Sequence, residues 1–240
     1  MVGFECGGVE DLLGVDWRQA WREREQARRA PDDVQVWDER AQEFAEHAGI
    51  SEYADTFLTL LDLEPGLSVL DMGCGSGTLA IPLAQQGHEV LAADFSTGML
   101  QCLRDAAKRE GLGLIGSIQV DFNASWEQWE AAGIGAGCVD VAIASRSTMV
   151  DDLGAAFEKL ERAARRRVAV TMATEYSPRG VKRLGQCAAG EAPYVPDYVF
   201  GVNILLQRGR YPELRYIDSH KPDEDGAPRL VRWAFLSWDV

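Results

Sequence analysis

The sequence has only five cysteines, three histidines and no long apolar run. The cysteines are widely spaced and form no C-x-x-C pair, which argues against a disulfide framework or a zinc site and favours reduced thiols. No stretch approaches the roughly 18 apolar residues that a membrane-spanning helix needs. The first residues also lack the positive and apolar regions of a secretory signal. We therefore expect a cytoplasmic protein that holds no metal ion.

Basic residues are also scarce. The 240 residues include 24 Lys and Arg against 38 Asp and Glu, which gives a net charge of −14. Proteins that bind nucleic acid or anionic lipid through phosphate groups need a basic surface, so this balance argues against both partners. It does not oppose a small-molecule substrate. The oligomeric state stays open, with a dimer as one alternative.

The pattern of apolar residues changes near residue 62. Residues 1–62 are acidic and helical in pattern, with Trp17 and Trp21 one turn apart. A later stripe at helical spacing consists of Val34, Trp37, Ala41, Phe44, Ala45 and Ala48. A third helix is predicted near 52–62, before a Pro-Gly turn. We therefore predict an N-terminal helical extension over residues 1–62.

From residue 63 to 240, short apolar runs alternate with helical segments, as in a parallel sheet with crossover helices. The runs predict strands near 67–71, 89–93, 115–120, 138–144 and 167–172, and a final antiparallel pair near 211–218 and 229–238. The predicted helices lie near 77–86, 97–110, 125–132, 151–164 and 197–207. This alternation predicts a single α/β domain over residues 63–240.

A glycine-rich turn joins the first predicted strand to the first helix of this domain. It reads Asp71-x-Gly73-x-Gly75-x-Gly77, and glycines at such a turn let the backbone approach a ligand closely. A dinucleotide is one interpretation, because the stretch from Gly75 fits the relaxed G-x-G-x-x-A fingerprint and Asp94 follows for a ribose. Asp71 opposes it, because a carboxylate repels a pyrophosphate. The same carboxylate favours a ligand with an ammonium and a sulfonium, such as S-adenosylmethionine (SAM).

The string from Asp71 to Gly77 resembles the first motif of the class I SAM-dependent methyltransferases, and the likeness covers residues 67–172. Asp94 resembles the acid that binds both ribose hydroxyls, and Asp121 resembles the acceptor for the adenine amine. Residues 1–62 resemble the lid of the small-molecule branch, which includes the ubiquinone- and menaquinone-type enzymes and the "methyltransferase type 11" group. The resemblance implies a three-layer Rossmann-like α/β sandwich. Its seven-stranded sheet would be mostly parallel with an antiparallel last strand, and an N-terminal helical lid would cover it.

The resemblance also implies which residues bind SAM and its product S-adenosylhomocysteine (SAH). They are Asp71, Gly73, Cys74, Gly75, Gly77, Asp94, Phe95, Met99, Asp121, Phe122, Ser145, Trp37 and Tyr53. For Trp37 and Tyr53, packing between helices is an equally good explanation.

The acceptor side of the site is less defined, and no general base is assigned. The weak catalytic candidates are Arg146, His47 and Tyr176. Arg146 follows the fourth predicted strand and could bind a substrate carboxylate or pair with Asp151. The pair of acids at 151 and 152 is expected to open a helix and not to bind a metal.

Other polar residues receive weaker expectations. A wall on the substrate side is expected from Tyr176, Arg179, Lys182, Arg183, Tyr194 and Tyr198. Residues 165–167, all arginines, are expected at a helix end on the opposite edge of the sheet, and His88 is expected at the surface. We predict a SAM-dependent methyltransferase that acts on a small anionic or aromatic acceptor. The alternatives are a SAM-binding accessory protein without independent catalysis and a protein methyltransferase.

Overall fold

The structure is a computed structural model that describes residues 14–28, 34–46, 51–177, 194–222 and 226–240. Three helices come first: α1 (Trp17–Arg28), α2 (Val34–Glu46) and α3 (Glu52–Leu61). Strands and helices then alternate as β1 (Ser68–Met72), α4 (Ala80–Gln85), β2 (Glu89–Asp94), α5 (Thr97–Arg109), β3 (Ile115–Gln119), α6 (Trp126–Ala132), β4 (Val139–Ser145), α7 (Leu153–Ala163) and β5 (Ala164–Ala173). The chain ends with α8 (Asp197–Gln207), β6 (Glu213–Pro222) and β7 (Pro228–Asp239). No helix within these residues is long and apolar enough to cross a membrane.

The strands form one seven-stranded sheet in the order β3-β2-β1-β4-β5-β7-β6. Strands β1 to β5 pair in parallel, and β7 runs antiparallel to both β5 and β6. This confirms the predicted sheet, including its antiparallel last strand. Because β1 to β5 are parallel, their carboxyl ends meet at one edge, where open α/β sheets bind ligands.

Helices cover both faces of the sheet. Trp21, Trp129 and Phe157 bring α1, α6 and α7 onto one face, together with α8. Phe57 and Leu103 bring α3 and α5 onto the other face, together with α4. A strand buried on both faces cannot show polar alternation, which explains the continuous apolar runs in the sequence. The result is the three-layer sandwich that the resemblance implied.

The helix starts follow short polar side chains. Ser96 caps α5 by accepting a hydrogen bond from the Met99 N–H, and Ser125 forms a capping box at α6. Asp152 caps α7 by accepting from the Ala155 N–H at 3.0 Å, which confirms its predicted role. Caps of this kind satisfy backbone donors that the helix itself leaves free.

The three N-terminal helices pack in different places. On α1, Trp21 is fully buried and its Nε1 donates to the Val150 carbonyl at 2.8 Å. On α3, the ring of Phe57 packs edge-on against Phe235, with centroids 5.2 Å apart. Helix α2 lies on α5 through a small cluster around Ala41. Val34 begins the predicted apolar stripe of α2 but is 40% exposed; the side chains of residues 44, 45 and 48 lie outside the described residues.

Two expectations about the amino edge of the sheet are wrong in part. Strand β5 begins at Ala164, so the arginines at 165–167 lie within the strand and not at a helix end. They do lie on the edge opposite the glycine-rich turn, where Arg165 pairs with Asp140 at 2.9 Å. His88 is 2% exposed and not at the surface, because its Nδ1 hydrogen-bonds the Leu67 carbonyl at 3.1 Å. One main-chain partner reduces the cost of burying the ring.

Candidate active site

The glycine-rich turn after β1 sits at the carboxyl edge and needs glycine at two places. Gly73 has φ +77°, and a Cβ there would lie 2.3 Å from the Cβ of Ser147. Ser147 is fixed because its hydroxyl donates to the Met72 carbonyl at 2.8 Å. Gly77 has φ +100°, and a Cβ there would lie 2.5 Å from Leu103. The turn therefore holds its shape only while these side chains are absent.

Asp71 is a buried acid at the end of β1, next to this turn. It is 1% exposed, and neither carboxylate oxygen has a partner with hydrogen-bond geometry within the described part of the chain. Burial, followed by repulsion from Asp94, raises the pKa of Asp71 to about 7, although the Arg146 guanidinium and the Ala80 N–H lower it in part. A cationic group placed beside this carboxylate would offset both the loss of hydration on burial and the repulsion from Asp94.

Asp94 ends β2 and is tied to the same turn. One carboxylate oxygen accepts from the Gly75 N–H at 2.8 Å and the other from the Ser96 N–H at 2.9 Å. Burial raises the pKa of Asp94, and these two N–H groups limit the rise. Each oxygen can still accept a further donor, since a carboxylate oxygen has two lone-pair directions.

The segment after β3 presents one acid and buries one ring. Asp121 is exposed, and its Oδ1 accepts from the Asn123 N–H at 2.7 Å. Phe122 is 8% exposed and packs against Trp129 with ring centroids 5.8 Å apart. Phe95, which follows β2, is half-buried. Asp121 is thus available to a ligand, whereas the ring of Phe122 belongs mainly to the core.

Three hydroxyl groups meet at the ends of β4 and β5. The buried Tyr53 of α3 shares hydrogen bonds with Ser145 and with Thr171, each at 2.7 Å. Burial raises the pKa of Tyr53 above its ordinary value, and the adjacent Arg146 limits the rise. Sequence reasoning missed Thr171; the available signal was one hydroxyl residue inside the apolar run of β5.

Arg146 follows β4 in an unusual backbone conformation. Its φ is +58°, the left-handed region that non-glycine residues rarely adopt. The Arg146 N–H donates to Thr171 Oγ1 at 2.9 Å, which holds this conformation in place. Its half-buried guanidinium lies over the ring of Tyr53, 4.3 Å from the ring centroid. Strain of this kind is commonest at functional sites.

A family model described as "Methyltransferase domain" matches residues 69–167, the stretch that builds this edge. Residues 69–167 therefore form a methyltransferase domain of the class I, Rossmann-like SAM-dependent family. SAM is the cofactor of this family, which decides against the dinucleotide interpretation of the turn.

Individual relatives of this chain match over different lengths. An uncharacterized protein of Haemophilus influenzae is 36% identical over 188 residues, which are 76% of this chain and 66% of that protein. The malonyl-[acyl-carrier protein] O-methyltransferase of Salmonella typhimurium is 38% identical over 99 residues, 37% of this chain and 39% of that protein. The crystal structure of magnesium protoporphyrin IX methyltransferase from Synechocystis PCC 6803 with bound SAH has a TM-score of 0.54 at 19% identity, and the match covers 95% of this chain and 99% of that one. The chain spans about two thirds or less of the length of these curated relatives.

Trp37 of α2 and Met99 of α5 belong to one small apolar cluster, and Met99 also lies near the glycine-rich turn. Trp37 is half-buried against the cluster of Ala41, Met99 and Cys102. The Sδ of Met99 is 4.0 Å from where a Cβ of Gly75 would lie. The α2 helix is also held by Asp38, whose Oδ1 accepts from the Ser96 hydroxyl at 2.5 Å and from the Gly98 N–H at 2.9 Å.

The remaining predicted site residues are spread more widely. Cys74 is buried in the turn, and burial raises the pKa of its thiol well above the ordinary value, so it stays protonated. Tyr176 is 44% exposed beyond β5, with the Arg232 guanidinium 5.9 Å from its ring centroid. Tyr198 packs edge-on against Tyr216 at 6.1 Å. His47, Arg179, Lys182 and Arg183 lie outside the described residues. Within the described ranges, no group of His, Cys, Asp and Glu side chains could hold a metal ion.

Proposed function

We propose that this chain transfers a methyl group from SAM to a small-molecule acceptor that is anionic when it binds. The observation that carries the SAM-binding part of this proposal is the buried carboxylate of Asp71 beside the glycine-rich turn, whose oxygens have no partner with hydrogen-bond geometry among the described residues. A buried carboxylate without a partner destabilises the protein, so its presence at a ligand-binding edge is best explained by a cationic ligand group.

The residues at this edge fit SAM as a whole. The carboxylate of Asp71 matches the methionine ammonium, and the two oxygens of Asp94 match the paired ribose hydroxyls. Asp121 has an oxygen available for the adenine amine, since the Asn123 N–H engages only Oδ1. None of these groups suits a pyrophosphate.

Bound SAM supplies a methyl group that is already activated by its sulfonium. The chain must then align the acceptor with that methyl and exclude water. Tyr53 is suited to the second task, because its ring is buried over the ends of β4 and β5. Helix α2 is suited to it as well, since Asp38 binds it to the start of α5.

The described residues offer no evident base that could remove a proton from the acceptor. The hydroxyls of Tyr53, Ser145 and Thr171 satisfy one another, and the raised pKa of Tyr53 keeps it protonated at neutral pH. An acceptor that is already ionised has no proton to lose and carries the electron pair that forms the new bond. A carboxylate or another oxyanion held by the Arg146 guanidinium meets this condition.

The lack of an evident base among the described residues also favours a second candidate, a SAM-binding accessory protein without independent catalysis. A protein acceptor is a third candidate. The net charge of −14 argues against an RNA acceptor, since RNA binding relies on a basic surface.

Calorimetry with SAM, SAH and NADH tests the cofactor, and tight binding of NADH without SAM would contradict the proposal. Transfer of labelled methyl from SAM to a metabolite extract, compared with a protein fraction, tests the acceptor class. Label in neither fraction would favour the accessory protein.

Arg146→Met tests the anionic acceptor, with Arg104→Met on the exposed face of α5 as the matched control. We expect Arg146→Met to raise the acceptor KM about tenfold or more and to leave the SAM Kd nearly unchanged, because one charge-assisted contact is lost. A loss of SAM affinity with an unchanged acceptor KM would assign Arg146 to the cofactor.

A further inference from the structure

A lysine on α7 reaches across to the loop that follows β3. The Nζ of Lys159 donates to the carbonyls of Phe122 and Ala124, the second at 2.7 Å. These two residues flank Asn123, and Phe122 directly follows Asp121. Two carbonyls bound by one ammonium fix the path of the main chain at this point.

The loop has two further supports, and both come from the side of the sheet that α6 and α7 cover. Trp129 Nε1 donates to the Asp121 carbonyl at 3.1 Å, and the Asp151 N–H donates to Asn123 Oδ1 at 2.9 Å. Lys159 is the charged member of this set. Its ammonium also lies 4.9 Å from the ring centroid of Trp129.

This arrangement leaves the Asp121 side chain on an anchored backbone. The carboxylate itself is exposed and receives an N–H on Oδ1 only, among the described residues. A surface carboxylate on a free loop would sample many positions, whereas a fixed main chain reduces the entropy lost on binding.

We propose that Lys159 is a positioning residue for the adenine ring. By binding the Phe122 and Ala124 carbonyls, it holds Asp121 where the carboxylate can accept from the 6-amino group. The proposal rests on the function proposed above, specifically on Asp121 as the adenine contact. Burial lowers the pKa of Lys159 to about 8, so the side chain still carries its charge at neutral pH.

The test compares SAH with S-inosylhomocysteine, which has a carbonyl oxygen in place of the 6-amino group. Calorimetry at pH 7 should show that the wild-type protein prefers SAH by on the order of tenfold or more, as expected for one hydrogen bond to a charged acceptor. Lys159→Met should lower this ratio of affinities to roughly two- or threefold, mainly by weakening the binding of SAH. Lys159→Arg, which keeps a cationic donor, should restore most of it.

Arg162→Met is the matched control, because Arg162 is an exposed cation on the same helix that stacks on Trp126 at 4.2 Å and is not among the donors to the loop carbonyls. It should keep the wild-type ratio. If Lys159→Met weakens both ligands equally, or keeps the wild-type ratio, the positioning role is wrong. If Lys159→Met does not fold, Lys159→Gln, with a neutral donor, should give an intermediate ratio, and an unchanged ratio there would also overturn the proposal.

Failure of the proposed function and failure of the positioning role would give different binding results. A wild-type protein that binds both ligands equally would contradict the role of Asp121 and therefore the positioning role as well. A protein that binds neither ligand would contradict the proposed function. If the wild-type preference for SAH persists in Lys159→Met, only the positioning role of Lys159 is contradicted.

Discussion

If Asp71 binds the ammonium of SAM as proposed, its buried carboxylate should make SAM affinity depend on pH. Without ligand its pKa is raised to about 7, first by burial and then by Asp94. A ligand ammonium favours the ionised form, so binding must remove the proton wherever Asp71 is protonated beforehand. With a pKa of about 7, the ionised fraction rises from roughly 10% at pH 6 to roughly 90% at pH 8. SAM affinity should therefore increase about tenfold over that interval.

Asp71→Asn separates this effect from ionisation of the ligand. The amide keeps the shape of the side chain but does not titrate, so the variant should bind SAM more weakly and lose the tenfold dependence. Any dependence that remains then belongs to other groups, namely the α-amino group of SAM or Asp94, whose pKa is also raised by burial. Calorimetry at several pH values measures both proteins. Parallel affinity curves for the wild type and the variant would refute the reasoning.

The same carboxylate predicts how the ligand-free protein responds to pH. Because the pKa in the folded state lies above the unfolded value near 3.8, the folded protein binds more protons between about pH 4 and 7. Its stability therefore falls as the pH rises through that window, and the full cost is present above about pH 7. The rise of the pKa from 3.8 to about 7 corresponds to a loss of at most about 4 kcal/mol in folding free energy once Asp71 is ionised. In Asp71→Asn the buried amide itself costs roughly 1–3 kcal/mol, so the net gain in stability of the variant is smaller by that amount.

Asp71→Asn should thus gain stability relative to the wild type as the pH rises from 5 to 8, although it binds SAM poorly. Thermal melting of the ligand-free proteins across that range measures the gain. Asp140→Asn is the control, because hydrogen bonds from Ser68 and the pairing with Arg165 lower the pKa of Asp140 to about 2. Protonation cancels the stabilising effect of Asp140 only below about pH 4. The Asp140→Asn substitution should therefore shift all melting points between pH 5 and 8 by a similar amount.

Three further substitutions have defined outcomes. Asp94→Ala should raise the SAM Kd by roughly a hundredfold, since it removes the acceptor for two hydroxyls; an unchanged Kd in calorimetry would show that the ribose lies elsewhere. Gly73→Ala should abolish SAM binding and lower the melting temperature, because its Cβ would lie 2.3 Å from that of Ser147 at a φ of +77°; a fully active variant would mean that the turn can rearrange. Trp21→Phe should cost about 1–2 kcal/mol in urea unfolding, since the Val150 carbonyl loses its donor. Its SAM Kd should be unchanged, and a large change would place α1 in the cofactor site.

The sheet and the place of the glycine-rich turn within it could be predicted because their signals are local in sequence. The apolar runs of β1, β4 and β5 reflect burial on both faces, and the spacing of Asp71, Gly73 and Gly75 reflects one turn. The final pair of strands was predictable for a similar reason, since a polar loop separates two long alternating segments.

The acceptor side was less predictable because its contacts are remote in sequence. Tyr53 meets Thr171 across 118 positions, and Ser147 meets the Met72 carbonyl across 75. No periodicity in either segment marks such a pair. The prediction that His88 lies at the surface was wrong for a related reason. Its hydrogen-bond partner is a main-chain carbonyl, and a backbone acceptor cannot be recognised from the pattern of side chains.

The three helices of the predicted lid differ in how firmly they pack on the rest of the protein. Helices α1 and α3 each place a fully buried ring, Trp21 and Phe57, in one of the two main cores, so their removal would open large cavities. Helix α2 rests on a much smaller cluster and on the hydrogen bonds of Asp38. One of those bonds comes from the hydroxyl of Ser96, whose own N–H donates to Asp94. The acid proposed to bind the ribose is thus joined to helix α2 by two successive hydrogen bonds through Ser96.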